Sequence, residues 1–481
     1  MRYLYSMAFT FVALAGCAIG PDYRRPPIDA PNAFRFEEKD AKEIANTAWW
    51  EQFQDAKLNE LIGIALAENK DVKIAAARID QFLGQYASTR SLLFPQVEGI
   101  LNGQRGRLPQ VGSSVPLSVL EQYEAALSVN WEIDVFGKRR RQTEAAYANV
   151  LASEEGRRAT ILTLVASVAS AYITLRGLDR QLEIAKETAD SRANSFKVFK
   201  DRFEGGTVSE LELAQSQSEY EASLVTIPQL ETQVAQQEDA LAILLGRNPG
   251  PIGRGRTISD LGLPGVPAGL PSDLLVRRPD LRQAEQNLIA ANAQIGAARA
   301  QYFPTISLTG LFGSISSQFS DLFTGPAKAW SYGVSGSIPI FTGGGIAGQV
   351  QQAEAQQQEA LLQYQKSIQV AFQEVSDSLI AHRKSREQLA FQERQVATLR
   401  NYLNLARMRY DNGYTSFIEV LDAERNLFNA QVSYAQTQGL VYVSLVNLYK
   451  AMGGGWVATA ENMTNKQEQK PTPTPTPTAS R

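Results

Sequence analysis

The 481-residue sequence has one histidine, one cysteine and almost no net charge, and each scarcity excludes something. With His382 as the only histidine, a histidine-built metal site or general base lacks the partners it needs. A solvated helix position is the expectation for His382, and no metal or dissociable cofactor is expected. One cysteine rules out an internal disulfide framework. A formal charge of −3, from 47 basic and 50 acidic residues, argues against a nucleic-acid partner. No run of 18 or more apolar residues occurs, so no transmembrane helix is expected. No phosphate loop or nucleophile motif is present, which argues against an enzyme.

What is present is a duplication. Phe94-Pro95-Gln96-Val97 returns as Phe303-Pro304-Thr305-Ile306, and Phe203-Glu204-Gly205-Gly206-Thr207-Val208-Ser209 returns as Tyr410-Asp411-Asn412-Gly413-Tyr414-Thr415-Ser416. Each half reads as a helix, two alternating segments and a long helical hairpin. The first repeat covers 49–255 and the second 256–461. A Gly/Pro-rich bridge (250–275) joins them, and a polar Pro-Thr tail (462–481) reads as extended and disordered.

The lone cysteine is informative by position. Arg2, a short apolar run from Met7 to Ala15, and Leu14-Ala15-Gly16-Cys17 look like a bacterial lipoprotein signal over 1–16. Cys17 then becomes the acylated N-terminus. Ala18 is not the aspartate associated with inner-membrane retention, which points to the outer membrane. Residues 17–48, rich in Pro, Asp and Glu, read as an extended segment leading from that anchor.

Trp49 to Phe94 is helical by period, interrupted at Asn69-Lys70-Asp71. The alternating regions lie near 97–136 and 303–341. In the first, Leu127, Val129, Trp131, Ile133 and Val135 alternate with Ser128, Asn130, Glu132 and Asp134. In the second, Trp330, Tyr332, Val334, Ile338 and Ile340 oppose Ser331, Ser335 and Ser337. The segment near 97–105 alternates poorly. A soluble sandwich shows such patterns too, but lengths near ten residues suit tilted strands crossing a bilayer. Trp131, Trp330 and Tyr332 then become candidates for an interfacial aromatic girdle. Loops 106–118 and 313–327 read as surface loops at the far side of the membrane.

Residues 138–204 and about 346–411 are rich in helix formers. Each would extend about 100 Å at ~1.5 Å per residue. Gly205-Gly206 and Asn412-Gly413 break them, Gly206 and Gly413 are candidate left-handed positions, and Ser209 is a candidate N-cap. Leu399, Leu403, Ala406 and Tyr410 have coiled-coil spacing. A membrane sheet must close on itself, and one chain offers about four strands where the smallest bacterial barrels need eight. That arithmetic excludes only the monomer.

Longer motifs resemble the TolC-type outer-membrane efflux channels, lipoprotein branch. They are Trp49-Trp50, Phe53, Leu58, Leu61, Ala65, Asn69 and Asp71; Leu270-Pro271-Ser272-Asp273-Leu274-Leu275; Arg277-Arg278-Pro279-Asp280-Leu281; Ile295-Gly296; Ala298-Arg299-Ala300; and Lys450-Ala451-Met452-Gly453-Gly454-Gly455-Trp456. The resemblance covers nearly the whole mature chain. It implies an α+β membrane protein, internally duplicated, acting as a homotrimer. Four strands per chain would make a 12-stranded outer-membrane β-barrel, continued by a mixed equatorial region and a long periplasmic α-helical barrel. Its implied partners are outer-membrane lipid, a periplasmic adaptor (membrane fusion protein) and an inner-membrane transporter, often of the resistance-nodulation-division type. The implied function is passive passage of drugs, solvents, dyes or metal ions. The duct of a type I protein-secretion system is the alternative, and a structural lipoprotein with a coiled-coil stalk is a further one.

By the same resemblance, Ile418, Glu419 and Asp422 form the periplasmic gate, with Asp422 at the family's gate aspartate. The first hairpin has Leu211, Glu212 and Gln215 there and lacks the second acid. The tips Gly205, Gly206, Thr207, Gly413, Tyr414 and Thr415 would face the adaptor. Some relatives carry an arginine at the position of Thr415 that ties the closed tip, and this chain lacks it.

Overall fold

The computed structural model describes residues 18–28, 31, 33–36, 48–107, 119–267, 271–453, 456–457 and 460. Cys17, the signal segment 1–16, most of the 106–118 loop and the Pro-Thr tail lie outside the described residues. In chain order the main elements are α1 (Ala56–Glu68), α2 (Lys70–Ser91), β1 (Gln96–Arg107), β2 (Val119–Ile133), α3 (Lys138–Glu204), α4 (Glu210–Leu244), α5 (Leu274–Arg277), α6 (Pro279–Arg299), β3 (Thr305–Ser316), β4 (Lys328–Ser337), α7 (Gly345–Asp411) and α8 (Phe417–Ala451). The matched elements agree in length: 12 residues for β1 and β3, 67 for α3 and α7, 35 for α4 and α8.

Compactness cuts across this duplication. One unit takes Met1–Ile28, Ala77–Glu154 and Gln283–Lys366; the other takes Asp29–Ala76, Glu155–Arg282 and Ser367–Arg481. Each unit therefore draws on both repeats.

The first unit holds one antiparallel sheet in the order β1-β2-β3-β4, with β1 and β4 as its edges. Directly paired residues share a face. Val97, Val129, Gly310 and Tyr332 form one row, and Gly99, Leu127, Phe312 and Trp330 the next. That face is apolar through these rows; Ser314 and Lys328 enter it beside Leu101 and Ala125, and the Arg105–Glu121 ion pair, at 2.8 Å, lies beyond them. The opposite face carries Glu98, Asn102, Glu124, Ser128, Asn130, Thr309 and Ser331. The weakly alternating segment is a full strand, because β2 supplies its ladder. Two strand ends fall short of the expected limits. Asp134 leaves β2 to accept the Arg139 and Arg140 N–H groups at the start of α3, at 2.9 and 2.8 Å. Pro339 has no N–H to give the ladder, so Ile338 and Ile340 lie outside β4.

The residues after Cys17 are not a loose linker. Ile19 N–H donates to the Phe136 carbonyl at 3.1 Å. Arg141 donates to Asp22 at 2.6 Å, and Arg25 forms a two-pronged pair with Glu285 at 2.6 and 2.5 Å. A Cβ on Gly20 would come within 2.4 Å of Gly296 Cα, so the strap crosses α6 where neither segment has a side chain.

In the second unit, Trp49 stacks on Tyr449 (5.2 Å between centroids) and Trp50 meets Trp456 edge-on at 5.0 Å. The expected helix from Trp49 begins instead with a 3-10 turn, Trp49–Phe53, closed by Gln54 at φ 56°. Asn69 breaks the next helix because its side chain caps α2, accepting from Asp71 and Val72 N–H. The Gly/Pro bridge is bolted down: Tyr442 and Tyr449 donate to the carbonyls of Leu261 and Gly265 at 2.9 and 2.8 Å. His382 is buried, not solvated; its Nδ1 lies 3.2 Å from Ser444 Oγ, where α7 packs on α8.

α3 contains a stretch long and apolar enough to cross a membrane by length and composition, although small polar residues interrupt its apolar run. Two thirds of that stretch (67%) is buried inside the fold, as in the core helix of a packed protein.

Burial pushes the hydroxyls of Tyr172, Tyr442 and Tyr449 above the ordinary tyrosine range, reinforced at Tyr172 by its bond to Asp55. A group held more protonated in the fold contributes its full stability below its unfolded pKa, about 10. That contribution is lost as the pH rises through the raised value. Helix content followed by circular dichroism should hold to about pH 10 and fall steeply above it. Tyrosinate absorbance that develops fully before any helix is lost would contradict this.

Candidate functional site at the hairpin tips

Both long hairpins reverse by the same local chemistry. At the first tip Gly206 sits at φ 72°, Gly206 N–H donates to Phe203 O (2.8 Å) and Thr207 N–H to Arg202 O (2.9 Å). At the second, Gly413 sits at φ 74°, with Gly413 to Tyr410 and Tyr414 to Arg409 bonds, both 2.9 Å. A left-handed residue with these carbonyl partners closes a helix C-terminus. Open space surrounds both glycines, so φ alone demands them. Ser209 opens α4 with a full capping box to Glu212. Ser416 occupies the equivalent place without a side-chain bond to the helix. Tyr414 is exposed, and Gly205 and Thr415 complete the turns.

Behind the tips an apolar cluster joins the two hairpins. Phe199, Leu403, Ala406, Phe417, Val420, Leu421, Ala423 and Leu427 are buried together, with Val208 and Leu213 packed against them. Phe199 and Phe417 lie 4.0 Å apart between ring centroids, and Tyr410 lies 5.2 Å from Phe417. The heptad positions Leu403, Ala406 and Tyr410 all enter this cluster.

The three gate candidates divide. Ile418 is exposed. Glu419 turns toward α7 and accepts from Arg409 at 3.1 Å, while its other oxygen is buried without a partner. Asp422 accepts from Arg425 and Asn426, both at 3.0 Å. Each acid thus carries a nearby cationic or amide partner. Arg409 and Arg407 tie α7 to α8 through Glu419 and Glu424, the second at 2.6 Å. A further tie was invisible in the motif: Arg192, buried, reaches the Glu219 carboxylate at 3.1 Å and its carbonyl at 2.9 Å. Arg192 also lies over the Phe428 ring (5.8 Å), and Glu219 is 3.9 Å from Arg425. One signal did exist. Arg192 and Glu219 are equidistant from Gly205-Gly206, as facing residues of an antiparallel hairpin must be. A groove of about 350 Å³ beside the cluster is lined by Asn194, Arg202, Arg407, Asp411 and Glu424 among others.

Trp330 and Tyr332 stack in parallel on the apolar sheet face, 5.9 Å apart and both exposed. Trp131 lies on the same face, in the row next to that of Tyr332, its indole N–H donating to Leu93 O at 3.0 Å. No cluster of three metal-ligating side chains occurs among the described residues.

An amphipathic sheet with two unpaired edges, continuous in sequence with 67-residue helices, defines a subunit of a membrane-spanning channel. The chain belongs to the outer membrane efflux protein family, whose model matches twice, over residues 61–247 and 270–454. It is 38% identical over 467 residues to the toluene efflux pump outer membrane protein TtgC of Pseudomonas putida, covering 94% of this chain and 96% of that one. It is 35% identical over 452 residues to the cation efflux system protein CusC of Escherichia coli (92% and 97% covered). Among solved structures, the outer-membrane channel OprN superposes with a TM-score of 0.86 at 30% identity, covering 92% of this chain and 100% of that one. The open state of MtrE from Neisseria gonorrhoeae gives 0.83 at 30% identity, with 92% and 99% covered.

Proposed function

We propose that this chain is the outer-membrane channel of an efflux pump. It gives small molecules passive passage out of the cell after an inner-membrane transporter and a periplasmic adaptor deliver them. The observation that carries the reading is the sheet. It has an apolar face, a polar face and two open edges, and open edges are not tolerated in lipid. Copies of the chain must therefore complete it, and three copies give twelve strands. The apolar face meets lipid, with Trp131, Trp330 and Tyr332 at its interfacial levels. The polar face, with Glu98 and Glu124, lines the water-filled lumen. Cys17, two residues before Ile19 in the sequence, carries the acyl anchor.

Relatives are named for toluene, antibiotic and cation efflux, so the cargo of this channel lies among small molecules, with the transporter doing most of the choosing. Reconstitution in planar lipid films should give discrete ion-conducting steps. A deletion strain should become sensitive to solvents, antibiotics or metal ions. Monomers that pass no current would reject the channel, and loss of protein secretion alone would reject efflux.

The tips close the conduit, meeting the adaptor through Gly205, Gly206, Thr207, Gly413, Tyr414 and Thr415. Packing of the Phe199–Phe417 cluster supplies the closure, and Ile418, Glu419 and Asp422 filter what passes. Unit charges 6 Å apart repel by only about 0.7 kcal/mol in water and about 2.8 kcal/mol at an effective dielectric of 20. An acidic ring at Asp422 therefore selects cations more than it resists closing. Asp422→Asn should weaken divalent-cation block severalfold while leaving trimers intact. Unchanged block and selectivity in lipid-film recordings would count against that role.

A further inference from the structure

The two repeats match in length but not in cover. Each strand-to-helix junction carries a related short string: Ile133-Asp134-Val135-Phe136-Gly137 at the end of β2, and the one-residue-longer Ile338-Pro339-Ile340-Phe341-Thr342-Gly343 after β4. At the first junction Phe136 stacks on Phe303, with centroids 4.9 Å apart and planes 29° apart. Phe303 stands just before β3, in a turn where its N–H donates to Ala300 O at 3.1 Å. Its counterpart in the first repeat is Phe94, just before β1, whose N–H donates to Ser91 O at 3.0 Å. Phe94 and Phe303 thus occupy the same place in the same turn. Yet Phe94 is 55% exposed, and Ile340 and Phe341 are 95% and 89% exposed.

The reason is topological. A junction receives its phenylalanine from the repeat that follows it. The first junction finds that residue within the chain, because β2 pairs with β3. The second junction follows β4, which is an open edge of this sheet, as is β1. Pairing β4 with β1 of another copy places Phe341 after one strand and Phe94 before its antiparallel neighbour. That is the relation of Phe136 to Phe303.

We infer that Phe341 stacks on Phe94 of the next copy of this chain, an aromatic clasp across every subunit boundary. This rests on the reading of the chain as one segment of a closed ring. The intrachain pair is its template: centroids at 4.9 Å fall within the range of favourable ring pairs. The clasp also carries more of its junction than the intrachain pair does. At the first junction Ala18 packs against Gly137 and Ile19 binds the Phe136 carbonyl. At the second, the space around Gly343 and Gly344 is open, and the single N-terminal strap is already placed.

The test uses the full-length protein in its membrane. Phe94→Cys with Phe341→Cys is treated with a short bifunctional thiol reagent, with each single variant as control. Covalent dimers and trimers on a denaturing gel, in the pair and not in the singles, are expected. Trimers in mild detergent that yield only monomer bands overturn the clasp and leave the ring standing. Monomers in mild detergent overturn both. A milder series reads the same contact without cysteine. Phe94→Leu, Phe341→Leu and the double variant should each lower the temperature of subunit dissociation, the double no more than the larger single. Shifts that simply add would mean the two rings do not touch.

Discussion

Asp55→Ala lowers folding stability by roughly 3 kcal/mol or more, the largest loss expected of a single side chain here. Asp55 is buried and binds three segments that are distant in sequence. Its Oδ1 accepts from Lys57 and Leu58 N–H, at 2.8 and 3.4 Å, and so caps α1. Its Oδ2 accepts from the Tyr172 hydroxyl of α3 at 2.8 Å and from Arg256 N–H of the inter-repeat bridge at 3.0 Å. Tyr172 in turn accepts from Gly255 N–H at 2.9 Å. The bridge fits this closely only because residue 255 is glycine; a Cβ there would come within 2.1 Å of Asp55 Oδ1. Alanine removes one cap, strands the buried Tyr172 hydroxyl at about 1–3 kcal/mol, and frees the part-buried Arg256 N–H. An asparagine side chain at the same position keeps the cap, so Asp55→Asn should cost about half as much. Urea unfolding in detergent, followed by circular dichroism, measures both. An alanine variant within about 0.5 kcal/mol of the parent would show that the bridge is held elsewhere.

Glu219→Ala should loosen the tip and raise the leak through the channel. Arg192 is buried between the arms of the first hairpin and paired with Glu219, which also approaches Arg425 of the second. Removing the carboxylate leaves a buried cation without its main partner, at a cost of about 3 kcal/mol or more. That cost falls on the closed tip and is relieved in any splayed state where the guanidinium reaches water. A shift of about 3 kcal/mol changes a closed-to-open ratio on the order of 100-fold. Lipid-film recordings should show a matching rise in open probability, and cells should become sensitive to antibiotics normally kept out by the outer membrane. Glu219→Gln keeps a carbonyl acceptor for Arg192 and should lie between. Intact trimers with unaltered conductance would mean that the Phe199–Phe417 cluster closes the tip without this pair.

The hairpins were legible because their signals are local. Gly206 and Gly413 must adopt positive φ, Ser209 and Glu212 cap reciprocally, and the intervening residues are uninterrupted helix formers. The sheet faces were legible in β2 and β4 through strict alternation, and poorly in β1, whose glycines and polar residues give no pattern of their own. The proposed gate positions rest only on the motif around Asp422. Their partners Arg409 and Arg425 carry no signature, since an arginine on a long helix looks like a solvated charge until its neighbour is known. His382 failed for the same reason: a polar residue reads as exposed unless the helix facing it is known to bring Ser444. The strap over 18–28 failed because proline and charge suggest a linker, whereas Gly20 against Gly296 is a contact between segments far apart in the chain.

The sequence by itself determined the duplicated plan, the length and reversal points of the helices, the two-faced strands and the family, since periodicity, turn chemistry and long motifs all reside in neighbouring residues. Tertiary structure alone decided which polar groups are buried and paired: Asp55 with Tyr172, Arg192 with Glu219, Arg25 with Glu285. It also decided which apolar residues still await a neighbour. Pairing energies depend on distance in space, and a linear chain records no distance between residues hundreds of positions apart.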